Sequence, residues 1–254
     1  MPYASNQGVQ IHYEVAGRGD PVLLVHGMFV NWKTWRDYGF VNAMKDEYRL
    51  IMVDVRGHGR SDKPHDPKLY EEELLATDLT AVLDDLGVAK AHFLGYSMGG
   101  WIGFTAAKYS PDRFHSFILG GWHPYSDMPG HDPNPIPTLR ERGNEGIVAW
   151  LGAAAPLSDE ERTNLLANDV EAIIALAQNG RSDFRDILPT MSMPCLLYCG
   201  DADERHAGAQ ACVNELPNAT FVSLPGHDHL AVIYRGSDEI LSHITKFLAR
   251  IRVK

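Results

Sequence analysis

The chain has 254 residues, of which 44% are hydrophobic and 22% charged, and a formal net charge of −10. That length allows one large α/β domain or two small ones, with a sizeable core. The acidic balance argues against a general nucleic-acid or anionic-membrane binder.

Residues 1–10 carry no charged-then-apolar leader, and no apolar run reaches membrane-spanning length. A cytoplasmic protein is expected, a monomer or homodimer, with neither nucleic acid nor membrane as partner. Cys195, Cys199 and Cys212 fit neither a disulfide framework nor a zinc site. They read as small buried hydrophobes.

Taken in order, Val9 to Val15 alternates apolar and polar residues and predicts an antiparallel strand, paired with a short strand near Tyr3. Pro21 to Val25 is a short apolar run of the kind a buried parallel strand shows. It ends in His26-Gly27-Met28. Trp32, Trp35 and Tyr38 follow in a loop and helix. Arg49 to Val55 is another strand, running into the glycine-rich loop Asp54 to Pro64. Glu71 to Leu86 carries Leu75, Leu79, Val82, Leu83 and Leu86 on one stripe, with Gly87 ending the helix.

Next comes Ala91 to Leu94, then Gly95-Tyr96-Ser97-Met98-Gly99, then a helical pattern Gly100 to Tyr109. A serine at a strand-to-helix turn, with a glycine two places either side, is the nucleophile-elbow pattern. Phe114 to Leu119 is a further strand. Residues 122–137 then hold five prolines (Pro124, Pro129, Pro133, Pro135 and Pro137) and are expected to be irregular. Glu145 to Gln178 reads as short helices, with Ser158 as an N-cap. Residues 122–188 are too few for an independent core and read as a lid insertion, with 1–121 and 189–254 as the main body. Strands resume at Pro194 to Cys199 and Ala219 to Leu224, separated by a helix near Ala207 to Leu216. The last helix starts after Ser237, with Ile240, Leu241, Ile244, Phe247, Leu248 and Ile251 on one face. Alternating strands and helices predict an α/β fold with a mostly parallel sheet of roughly eight strands flanked by helices.

A serine hydroxyl is a poor nucleophile and needs a base, which in turn needs an acid to orient it. In an open parallel sheet such groups gather at the carboxyl ends of the strands. Four strand ends carry candidates: His26-Gly27, Ser97, Asp201 or Asp203, and His227 or His229.

These residues, with the Asp54 to Asp62 loop, Gly200-x-x-Asp203 and Pro225-Gly-x-x-His229-Leu230, resemble the α/β-hydrolase family across nearly the whole chain. The likeness is to its small single-lid esterase, lactonase and haloperoxidase-like branch. The resemblance implies Ser97 as nucleophile, His229 as base and Asp203 as acid. His227 stands as the alternative base, and Asp201 or Asp127 as alternative acids. It further implies an oxyanion hole from the backbone N–H groups of Met28 and Met98. His26 and the Asp54, Arg56, His58 and Arg60 loop are implied to be bracing. Phe29, Tyr96 and Trp122 are the expected substrate-pocket residues, while Trp32, Trp35 and Trp101 read more readily as core. His123 is either a substrate contact or a surface histidine. The implied chemistry is hydrolysis of a small-molecule carboxylic ester or lactone, with no cofactor and no metal. Cleavage of a C–C bond in a β-diketone, amide hydrolysis, perhydrolysis and slow-turnover ligand reception are open to the same triad. Serine rather than aspartate at the elbow argues against dehalogenase or epoxide-hydrolase chemistry.

Overall fold

The computed structural model describes residues 2–131, 134–154, 156–234 and 236–251; Pro133 lies outside them. Eight strands form one sheet: β1 (Tyr3–Asn6), β2 (Val9–Gly17), β3 (Asp20–Val25), β4 (Tyr48–Val53), β5 (Ala91–Tyr96), β6 (Phe114–Gly120), β7 (Cys195–Gly200) and β8 (Ala219–Leu224). Their order is β1-β2-β4-β3-β5-β6-β7-β8. β1 pairs antiparallel with β2, and β2 with β4; every other pairing is parallel.

The continuous apolar strands are explained by their two covered faces. In β3, Leu23 and Val25 point into one apolar cluster, and Val22 and Leu24 into the other. The first cluster is covered by α3 (Glu72–Asp85) and α4 (Met98–Tyr109), through Leu75, Leu79, Val82, Leu83 and Trp101. The second is covered by α1 (Lys33–Asp37), α2 (Phe40–Met44) and the last helix (Ser237–Arg250), through Trp35, Phe40, Ile240, Leu241 and Ile244. Burying one such leucine stabilises by about 1.5–3 kcal/mol, so the two faces account for most of the cohesion of the body.

Several element boundaries differ from the sequence expectation. α4 begins at Met98, directly after the serine, because the turn is completed by a single strained residue. β4 stops at Val53 because Asp54 turns its carboxylate inward to the loop. α8 (His206–Cys212) ends four residues earlier than the pattern to Leu216 suggested. Helix α5 (Ile136–Ala154) starts inside the proline-rich stretch. Pro137 is in its first turn, where a missing N–H costs nothing.

Between β6 and β7 the chain makes α5, α6 (Asp159–Leu166) and α7 (Val170–Ala177). α6 opens with a capping box in which Ser158 and Glu161 satisfy each other's backbone N–H. α5 is broken at Gly143, where φ is 55° and ψ −150°. These helices share a third apolar cluster (Leu139, Ile147, Leu151, Leu165, Ile173), and the body contributes Phe29 to it. No helix among the described residues is long and apolar enough to cross a membrane. The three cysteines are free and buried.

Candidate active site

The strained turn between β5 and α4 is the centre of the site. Ser97 has φ 56° and ψ −115°, a region that non-glycine residues avoid. The flanking glycines are required by contact. A Cβ on Gly95 would lie 2.2 Å from the Gly99 carbonyl oxygen, and one on Gly99 only 2.0 Å from that of Val25. The turn therefore packs against the end of β3, and Ser97 is lifted into a cavity of about 1080 Å³ that His26, Gly27, Met28, Asp203 and His229 also line.

The ring of His229 lies between Ser97 and Asp203. Its Nε2 is 2.8 Å from Ser97 Oγ and its Nδ1 is 2.6 Å from Asp203 Oδ2. Burial by itself would raise the Asp203 carboxyl. The hydrogen bond and charge of His229, then the Arg205 backbone N–H and guanidinium, outweigh it and hold Asp203 at about 2. Asp203 is thus an anion that can only accept, so Nδ1 of His229 donates to it. That leaves Nε2 as the acceptor facing the serine hydroxyl. Asp203 Oδ1 accepts from the Arg205 backbone N–H at 3.0 Å and from its Nη1 at 3.1 Å. The buried Cys199 thiol donates to Oδ2 at 3.5 Å.

Met98 is the first residue of α4, so its N–H has no acceptor within the helix. Met28 faces the same cavity. Its N–H belongs to the peptide whose carbonyl is that of Gly27, and His26 Nδ1 donates to that carbonyl at 2.7 Å. His26 Nε2 accepts from the Val55 N–H at 3.1 Å. A planar peptide points N–H opposite to C=O, so His26 sets the direction of the Met28 N–H. Burial lowers the pKa of His26, with the Asp54 charge opposing, and the ring stays neutral in this relay.

The structure brings together Ser97, His229, Asp203, Met28 and Met98. The alternatives sit elsewhere. His227 Nδ1 donates to the Pro225 carbonyl at 2.9 Å, Asp201 accepts from the Gly226 N–H at 2.7 Å, and Asp127 pairs with Arg185 at 2.6 Å. Of the pocket residues, Phe29 and Trp122 line the cavity. Tyr96 does so too, but its hydroxyl donates to the His229 carbonyl and its ring stacks on that of His229, with centroids 5.3 Å apart. Trp101 is core, and Trp35 packs in the core while also touching the cavity. His123 is fully buried, which corrects the surface reading. Its Nε2 donates to the Pro129 carbonyl, and the irregular chain after β6 folds over it.

The glycine-rich loop is tied to β2, to the segment after β3 and to α3, and its Val55 N–H bonds to His26. Asp54 accepts from the backbone N–H groups of Trp32 and Arg60 and pairs with His12. Arg56 forms a bidentate pair with Asp78 of α3, at 2.5 and 2.6 Å, with both groups almost fully buried.

Residues 20–157 match the family model for the alpha/beta hydrolase fold. The chain belongs to this family. Over 123 residues it is 37% identical to the protein named carbamate hydrolase RutD of Azorhizobium caulinodans, a stretch covering 48% of the chain and 45% of that relative. Over 116 residues it is 35% identical to epoxide hydrolase 4 of Mus musculus, covering 45% of the chain and 32% of that relative. The chain thus spans less than half the length of these two curated relatives. Among the solved structures that match over the full fold are an esterase and an enol-lactonase. The esterase of Thermogutta terrifontis has 26% identity and a TM-score of 0.83, with 99% of each chain covered. The enol-lactonase of Burkholderia xenovorans has 25% identity and a TM-score of 0.83, covering 98% of this chain and 100% of that one.

Among the described residues of this family member, no group of three or more His, Cys, Asp or Glu is arranged to hold a metal ion. Arg205 is the site residue that sequence reasoning missed. It lies over the Trp122 ring at 5.5 Å and ties Asp203 down. Its only signal was proximity to Asp203, which any loop residue shares. The role of Tyr96 toward His229 was equally silent, because it depends on two strand ends meeting in space.

Proposed function

We propose that the protein is a serine hydrolase that cleaves carboxylic esters or lactones through an acyl-enzyme. The observation that carries this reading is the His229 ring bridging Ser97 Oγ and Asp203 Oδ2 within hydrogen-bond distance of both. Asp203 keeps the proton of His229 on Nδ1, so Nε2 takes the Ser97 proton as Oγ attacks the carbonyl. The Met28 and Met98 N–H groups receive the oxyanion; losing one such donor costs about 3 kcal/mol of transition-state stabilisation. His229 then protonates the leaving alkoxide, which in a lactone stays tethered to the acyl chain. Water deprotonated by His229 releases the acid.

Opening an epoxide through an alkyl-enzyme ester needs a carboxylate nucleophile, and position 97 is serine. The likenesses to an esterase and an enol-lactonase over the full fold support ester and lactone substrates. On this reading residues 122–188 are a lid over the site, and their helices shape the acyl and leaving-group sides of the cavity.

The test is a panel of p-nitrophenyl esters of increasing acyl length, simple lactones, anilides and β-diketones. Wild-type turnover should be lost in Ser97→Ala, and a fluorophosphonate should label Ser97 alone. Unchanged turnover in Ser97→Ala refutes the mechanism. Turnover confined to β-diketones or anilides refutes the substrate class while leaving the mechanism standing.

A further inference from the structure

Phe29 follows Met28 and has φ 73°, one of three non-glycine residues with positive φ among the described residues. A bulky side chain holds that conformation only where its surroundings enforce it. Two groups of the β6–β7 helices do so. The Phe29 ring is buried in their apolar cluster with Leu139, Ile147 and Leu165. The Phe29 carbonyl accepts from Asn168 Nδ2 at 2.6 Å.

Asn168 is itself anchored. It lies between α6 and α7, and its Nδ2 also donates to the Leu165 carbonyl at 3.1 Å. Its own carbonyl accepts from Asn144 Nδ2 at 2.7 Å, and that side chain also holds the Leu166 carbonyl at 3.0 Å. Asn144 follows the Gly143 break in α5, which turns it toward this junction. A chain of contacts therefore runs from the kinked helix, through Asn144 and Asn168, to the peptide after Phe29. On the opposite side His26 holds the Gly27–Met28 peptide. The Met28 N–H belongs to the peptide that His26 holds, and the carbonyl that Asn168 holds lies two peptides further on, so one restraint comes from the sheet side and one from the helices.

We propose that Asn168 is a positioning residue for the oxyanion hole, coupling the seating of the β6–β7 helices to the donor geometry at Met28. This rests on the ester-hydrolysis reading of the site. While Asn168 holds the Phe29 carbonyl, the strained residue stays in place and the Met28 N–H keeps its direction. When the helices lift, the bond breaks, Phe29 relaxes to negative φ, and the neighbouring peptides turn with it. The oxyanion hole is then complete only when the helices are seated. The bond acts on the transition state, where charge resides on the oxyanion, and little on ground-state ester binding.

The experiment compares wild type, Asn168→Ala, Phe29→Gly and the double variant on one p-nitrophenyl ester that Ser97 turns over. Fluorophosphonate labelling rates and Tm are measured alongside. Asn168→Ala is expected to lower kcat and the labelling rate by about five-fold, with KM changed less than two-fold. Glycine adopts positive φ without strain, so in the Phe29→Gly background the same substitution should cost less than two-fold. A merely structural Asn168 would lower Tm without the kcat-against-KM split and without dependence on residue 29. Equal losses in both backgrounds, or an unchanged kcat in Asn168→Ala, overturn the proposal while the triad reading survives. A wild-type protein with no turnover or labelling at Ser97 overturns both.

Discussion

Asp203→Asn tests the site most sharply, because Arg205 dictates how the new amide must lie. Two donors, the Arg205 backbone N–H and Nη1, converge on Asp203 Oδ1 at 3.0 and 3.1 Å. The amide oxygen of asparagine must occupy that place, since an NH2 there would face two donors. Its NH2 then points at His229 Nδ1, 2.6 Å away in the native pair. Nδ1 is forced to accept, the imidazole proton moves to Nε2, and the base faces Ser97 with a donor instead of a lone pair. Wrong-tautomer substitutions of this kind cost about 10⁴ in kcat in serine proteases, and a loss of about 10³–10⁴ is expected here.

A stability signature accompanies it. Asp203 falls from the ordinary 3.8 to about 2 on folding, corresponding to about 2 kcal/mol. A depressed carboxyl stabilises the fold above its unfolded value and loses that contribution as pH falls through the folded one. The wild type should therefore lose about 2 kcal/mol between pH 4 and 2 that the asparagine variant does not. Initial ester-hydrolysis rates at pH 7 and urea unfolding across the acid range measure both effects. A variant retaining a tenth of wild-type kcat, or an Asp201→Asn variant that loses more, refutes the reasoning.

Other outcomes follow from the same geometry. Ser97→Gly should abolish turnover while raising stability by about 1 kcal/mol, because glycine relieves the strained dihedrals; calorimetry and an ester assay read both. His229→Ala should be inactive and His227→Ala within about two-fold of wild type, since the latter ring bonds only to the nearby Pro225 carbonyl among its described partners. A dead His227 variant would reverse the assignment. Arg56→Met should cost about 3–5 kcal/mol in urea unfolding, because it leaves the Asp78 carboxylate buried without its cation. A loss under 1 kcal/mol would show that the pair is not a brace.

The fold was legible in the sequence wherever periodicity meets burial. The apolar runs of β3, β5 and β7 need two covered faces, and that requirement alone predicts a parallel sheet between helix layers. Gly95 to Gly99 was legible because each glycine answers a close backbone approach. What was not legible depends on contacts between distant segments. The burial of His123 follows from how residues 124–131 fold back over it, which no local pattern encodes. The start of α5 at Ile136 was hidden because prolines in a first helical turn look like prolines in a loop. Asn168 falls inside a stretch whose pattern shows only short helices; its partner at Phe29 is 139 positions away.

The three cysteines have a practical consequence. Each thiol is almost completely shielded, and burial raises its pKa, to about 12 for Cys195. Thiolates are the species that react with maleimides, so at neutral pH the native protein offers such reagents almost nothing. A single cysteine placed at the exposed Trp150, on helix α5 where it lines the cavity, would therefore take up a fluorophore selectively without removal of the native thiols. A fluorophore there would report on the surroundings of α5 at the cavity while the core chemistry stays untouched.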